Sequence, residues 1–173
     1  WWQAPTLLNP HFGVGQKDLD AASLFYEPLA TWDPEANLIP ILAAEIPSVQ
    51  NGGVARDGLS VTWKLKRNVN WHDGKLFTAD DVVFTWEYVS DPAVAAVTSG
   101  VYKEVKRVEK VDPYTVRVVF SEPVPFWGRP FVARQGMILP KHLFDTFRGA
   151  KSREAPWNLK PVGTGPYKFV DFK

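Results

Sequence analysis

Cysteine is absent from the 173-residue chain, which excludes disulfides, thiolate metal sites and a cysteine nucleophile. No apolar run comes near the ~20 residues that a membrane-spanning helix needs. An excess of charge of either sign is also lacking: 20 Lys and Arg stand against 19 Asp and Glu, a net charge of +1. That balance gives no electrostatic reason to expect nucleic acid or an anionic membrane as a partner. The densest basic run, KEVKRVEK at 103–110, is interleaved with Glu104 and Glu109 and reads as a solvated face. Histidine is scarce. His11, His72 and His142 fall in no HxH or HxxxH pattern, so no metal site is expected. A basic-then-apolar leader is missing as well. The opening WWQAPTLLNPHF reads as mature sequence already inside a fold, with any export signal removed.

Aromatic side chains, by contrast, are abundant: 8 Trp, 11 Phe and 5 Tyr make up 14% of the chain. Most of them are expected in an aromatic-rich core, where such side chains dominate burial. Some are candidates to line a cleft. The length corresponds to about one domain with a real core.

Along the chain, apolar residues at Leu19, Ala22, Leu24, Phe25 and Leu29 predict a short helix within 19–33, closed by Pro28. The proline- and glycine-rich stretch 34–58 reads as turns and loop. Alternation over 59–69 and again over 114–122 predicts half-buried antiparallel strands, with 103–111 as a strand before the turn at VDPY. A loop-rich segment follows, with one short helix near 140–148, and GPYKFVDF at the end reads as a further strand. The fold class is therefore mixed α+β.

The stretch WHDGKLFTADDVVFTWEYV, 71–89, poses the main chemical question: a catalytic cluster, or a turn followed by a helix. Asp73-Gly74 is a tight-turn dipeptide. Thr78 stands at an N-cap, where its hydroxyl can accept from the N–H three residues on while Asp81 returns the bond. Asp80 and Asp81 put negative charge at the positive end of the helix dipole, and Val82, Val83, Trp86 and Val89 form one apolar stripe. Each polar residue thus has a structural role, and His72 beside Asp73 is not a catalytic dyad. Adjacent Asp80 and Asp81 face different directions and do not suit glycosidase chemistry. No GxSxG elbow occurs, and the GTG at 163–165 precedes a proline and a predicted strand rather than a helix, so it is no phosphate loop. No catalytic residue, metal site or cofactor is assigned, and the reading that remains is binding.

With these pieces in hand, the sequence resembles the peptide/nickel (family 5) solute-binding proteins of bacterial ABC transporters, the dipeptide- and oligopeptide-binding type. TLLNPHF, ASLFYEPLATWDP, LIPILAAEIP, the DGLSVTWKLKRNVNWHDGKLFTADDVVFTWEYV block, VEKVDPYTVRVVFSEPVPFW, MILPKHLF and PVGTGPYKFVDF come in that family's order through essentially the whole chain. The resemblance implies an α/β fold of the two-lobed periplasmic-binding-protein type II. Residues 1–45 would begin the core of the first lobe, 46–160 form an inserted subdomain and 161–173 return to the core. The second lobe would be absent, leaving an N-terminal piece of a longer protein. It further implies an extracytoplasmic protein, in the periplasm or on the outer face of the cytoplasmic membrane. That protein would capture a peptide or other small solute, pass it to ABC permease subunits, carry no cofactor, bind no nucleic acid and be a monomer when full length. By the same resemblance, Val14, Gly15 and Gln16 run beside a peptide main chain. Arg134, Gly136 and Met137 are the other first-lobe candidates. An Arg at 134 can meet an anionic ligand group or form a surface salt bridge. An oligosaccharide or metal-chelate ligand in the same fold, and a hydrolase with a site assembled from distant residues, are the alternatives.

Overall fold

The computed structural model describes residues 3–171. The first helix, α1 (Gln16–Ala22), starts at Gly15, whose carbonyl accepts from the Asp18 and Leu19 N–H groups at 3.0 and 3.1 Å. It begins earlier than the predicted 19–33 helix and stops sooner. The Ser23 hydroxyl donates to the Leu19 carbonyl at 2.8 Å. The carbonyls of Leu24 and Phe25 then accept from Tyr167 and Gly165 N–H, at 3.3 and 2.8 Å, instead of from a further helical turn. Bonds from a remote segment override local propensity here. Pro28 accordingly sits in extended chain, bridged to Met137, and closes no helix.

The chain continues into a hairpin of β1 (Ala30–Trp32) and β2 (Leu38–Pro40), with Thr31 opposite Ile39. Sequence periodicity missed both strands, placing the first in a helix and the second in loop. Three residues are too few to show an alternation, and the turn is set by side chains: Asp33 accepts from the Asn37 N–H and amide at 2.7 and 3.1 Å.

The main sheet is antiparallel in the order β3-β5-β4, made of β3 (Ser60–Lys64), β4 (Val105–Asp112) and β5 (Thr115–Phe120). Its three strands lie within the predicted 59–69, 103–111 and 114–122 apart from Asp112, which ends β4 one residue beyond 111. Trp63 pairs with Val116, and Val61 with Val118, which in turn pairs with Val108. All five side chains are buried, while Lys64 and Arg117 face solvent. This is the alternation expected of a sheet with one wet face.

The second helix, α2 (Ala79–Ser90), packs on that sheet. It begins with the capping box expected from the sequence, with one difference. The Asp81 carboxylate accepts from Thr78 N–H at 2.9 Å, but the Thr78 hydroxyl accepts from Asp80 N–H at 3.3 Å, two residues on rather than three. Val82 and Val89 are buried as expected. Val83 and Trp86 are only half-buried, and Phe84 and Tyr88 take the deepest positions with them. The helix predicted near 140–148 is a single turn, α3 (Lys141–Phe144), continued by a 3-10 turn over Asp145–Phe147. The final stretch is not the expected strand: residues 166–171 pair with no strand among the described residues, and residue 172 lies outside them.

One hydrophobic core runs from Phe12 to Ala155. Trp63, Trp71, Phe77, Phe84, Tyr88 and Phe144 are all but fully buried. Trp71 meets Phe77, and Tyr88 meets Phe144, edge-on at 6.0 and 5.9 Å. At about 1.5–3 kcal/mol for each large apolar side chain removed from water, these rings dominate the stability of the fold. Most of the aromatic surplus is core.

Candidate functional site

The segment before α1 is held from both ends. Asp18 on α1 accepts from Thr6 N–H at 2.7 Å, from Leu7 N–H at 3.4 Å and from Lys17 Nζ at 3.3 Å. Burial works to raise the pKa of this carboxyl. The donors of Thr6, Lys17 and Leu7 outweigh it and hold the group below the ordinary carboxylate range. At the other end His11 is fully buried, with Nε2 2.8 Å from the Met137 carbonyl and Nδ1 2.7 Å from the Thr98 hydroxyl. A carbonyl can only accept, so Nε2 carries the proton and neutral Nδ1 accepts from Thr98. Burial drives the His11 pKa down from 6.5 to about 4, against the opposing pull of the Met137 carbonyl.

Between these anchors Val14 stands in solvent, 81% exposed. Among the described residues nothing hydrogen-bonds to its N–H or its carbonyl. Gly15 caps α1, and the Gln16 amide donates to Asp20 Oδ1 at 2.6 Å. The same carboxylate oxygen takes Arg134 Nη1 at 2.6 Å. Gln16, Asp20 and Arg134 therefore form one polar cluster. Asp20 and Arg134 line an open groove of about 550 Å³ whose walls include Pro5, Ala21 and Leu24.

Arg134 is aimed by an unusual loop. Phe131 and Ala133 have positive φ, 62° and 54°. Leu29 N–H donates to the Phe131 carbonyl and Ala133 N–H to the Ala30 carbonyl, each at 2.9 Å. Gly136 closes the loop against Phe131, where any Cβ would lie 2.2 Å from the Phe131 carbonyl carbon. Of the six residues singled out from the sequence, the structure joins Gln16 and Arg134 through Asp20, with Val14 and Gly15 just ahead of them. Gly136 and Met137 are buried, so their contribution is to backbone placement. The residue that sequence reasoning missed is Asp20. The signal was its spacing of four from Gln16, which puts both on one helical face.

The turn around His72 behaves as its sequence implies. Gly74 N–H closes it on the Trp71 carbonyl at 2.8 Å, with Gly74 at φ +88°. His72 and Asp73 point apart. Asp73 Oδ2 lies 2.6 Å from His142 Nε2 on α3, whereas the His72 ring faces the chain at 163–165. Asp81 reaches beyond its cap to accept from Lys141 N–H at 2.9 Å, which ties α2 to α3. A second hollow, about 470 Å³, lies between the β1–β2 hairpin and the 125–129 loop, lined by Trp32, Leu38, Ile46, Phe126 and Trp127. Among the described residues no three His, Asp or Glu side chains gather as metal ligands, and no helix is long and apolar enough to cross a membrane.

Comparison with known proteins gives this geometry a context. The family model for bacterial extracellular solute-binding proteins, family 5 Middle, matches residues 37–173. The oligopeptide-binding protein AppA of Bacillus subtilis (strain 168) is 32% identical over 171 residues, covering 98% of this chain and 30% of its own. Its structure in complex with a nonapeptide superposes with a TM-score of 0.87, at 30% identity over 98% of this chain and 32% of that one. NikZ from Campylobacter jejuni, in complex with Ni(L-His), gives 0.81 at 30% identity over 99% of this chain and 32% of that one. The di/tripeptide-binding protein 2 of Pseudomonas aeruginosa (strain UCBPP-PA14) is 30% identical over 192 residues, covering 98% of this chain and 34% of its own. The chain thus spans about a third of the length of the relatives it matches.

Proposed function

The chain belongs to family 5 of the bacterial extracellular solute-binding proteins, and from that premise we propose that the whole protein captures peptides for an ABC importer. It works in the periplasm or on the outer face of the cytoplasmic membrane, as a monomer that hands its ligand to permease subunits and catalyses no reaction. Residues 1–45 begin the core of its first lobe, 46–160 form the inserted subdomain, and 161–173 return to the core. The observation that carries the peptide reading is Val14: a solvent-facing residue, anchored on both sides, whose N–H and carbonyl are unbonded among the described residues. An extended peptide main chain supplies the matching acceptor and donor, an interaction that reads no side chain. The half-exposed Arg134 guanidinium, already held by Asp20, then faces an anionic group of the ligand. The names of AppA and of di/tripeptide-binding protein 2 support the same class of ligand. Closure of the second lobe over this face completes the site, and the ligand biases that hinge by binding the closed form better.

Val14→Pro tests the idea, because it removes the N–H while leaving the surface apolar. In calorimetry on the complete protein, the substitution is expected to weaken peptides of two to nine residues by about tenfold each, the loss of one hydrogen bond. Unchanged affinity would show that the Val14 N–H does not pair with the peptide backbone.

A further inference from the structure

The GTG loop at 163–165 is seated on the backbone of Leu24–Glu27 with no room to spare. A Cβ at Gly163 would lie 1.7 Å from the Phe25 carbonyl oxygen, and one at Gly165 would lie 2.7 Å from it. Gly165 N–H donates to that carbonyl at 2.8 Å, and the Thr164 hydroxyl donates to Glu27 at 2.8 Å. What holds the loop down from its other side is His72. Its backbone N–H donates to the Gly163 carbonyl at 2.9 Å. Its ring bonds at both nitrogens: Nε2 lies 2.8 Å from the Gly165 carbonyl, and Nδ1 is 3.2 Å from the Gly163 nitrogen. The partners fix the tautomer. Gly165 offers only an acceptor, so Nε2 carries the proton; Gly163 offers only a donor there, so Nδ1 must be bare.

We propose that His72 is a protonation-controlled clasp, which in its neutral form locks the GTG loop against residues 24–27 and on protonation releases Gly163. A proton on Nδ1 sets two donors face to face, so the imidazolium cannot make the bond that the imidazole makes. The same contact runs on toward the candidate site, because the Glu27 carbonyl accepts from Ile138 N–H at 3.0 Å and Pro28 bridges Met137. Loosening the loop therefore loosens the backing of the segment that follows Arg134. Other titratable groups on the surrounding elements have partners of their own, and one of them, Glu27, also holds the loop. Glu27 accepts from Thr164, and Asp73 on the same turn is bonded to His142 of α3 and to Lys75 N–H. The remaining cationic groups nearest in sequence are Lys75 on the turn and Lys160 and Lys168 on either side of the loop. His11 is not a second clasp of this kind, since its Nδ1 faces a hydroxyl that can turn to accept.

The test is nuclear magnetic resonance on the protein labelled with 15N at histidine and glycine, through an acid titration. At neutral pH the His72 ring should show a protonated Nε2 and a bare Nδ1. The Gly163 amide should lose about tenfold of its exchange protection as Nδ1 takes up its proton, the loss of one hydrogen bond. In His72→Asn the side-chain oxygen stands in for Nδ1, so Gly163 should keep its protection with no dependence on pH. In His72→Gln that acceptor is lost, and protection should be low at every pH. A wild-type ring with the proton on Nδ1 would overturn the proposal. So would Gly163 protection that stays constant while His72 titrates, a result that needs no variant to fold.

Discussion

At the scale of single residues, His11 and His72 carry the most information, because partners on both ring nitrogens allow each only one tautomer. Buried His11 is held neutral between Thr98 and the Met137 carbonyl, with its pKa lowered from 6.5 to about 4. The sign of the linkage follows. Between those two values the unfolded chain binds the proton and the folded one does not, so stability falls as pH drops from about 6.5 to about 4 and loses no more to this group below that. The loss is on the order of 3 kcal/mol, the free energy that separates a pKa of 6.5 from one of about 4. Urea unfolding at pH 7 and pH 4.5 checks it. His11→Gln, which has no such titration, is expected to flatten the slope over that range. An undiminished slope would assign the acid sensitivity to other groups. Asp18 acts lower: its depressed pKa adds stability that is present above the unfolded value of 3.8 and is lost as pH falls below it.

At the scale of elements, the fold turns on segments that touch across long sequence distances. Gly163→Ala forces a methyl group into the Phe25 carbonyl. It is expected to cost about 3 kcal/mol or more, since backbone on both sides cannot move aside as a side chain can. Gly74→Ala meets open space and bears only the strain of its positive φ, so about 1 kcal/mol is expected. Thermal unfolding of the two variants separates these cases; equal losses would contradict the close approach at Gly163. What the sequence made legible is local. The capping box of Thr78 and Asp81, the DG turn and the alternation of β3 and β5 are all written within a few consecutive residues. What it hid was non-local or too short to show a period. The three-residue strands β1 and β2 have no pattern to read, and α1 ends where it does because Gly165 and Tyr167 take the carbonyls that would continue it. At the site, Val14, Gln16 and Arg134 came from the resemblance. Asp20, which joins the last two, needed the structure.

At the scale of the whole molecule, the chain belongs to a family in which the relatives it matches are about three times as long. The groove lined by Pro5, Asp20, Leu24 and Arg134 is open to solvent. Pockets that bind small molecules well bury most of the ligand surface, so this chain alone is expected to bind peptides more weakly than 1 μM. Calorimetry showing sub-micromolar binding would mean that this chain suffices without the rest of the protein. Peptide capture belongs to the complete protein, and the measurement that tests it is to purify that protein from its own host and weigh whatever comes with it. Native and then denaturing mass spectrometry would release and identify the bound species. Capture of peptides through their backbone, with no side chain read at Val14, predicts a ladder of peptide masses. A single sugar or metal-chelate mass would contradict the peptide assignment while leaving the family intact.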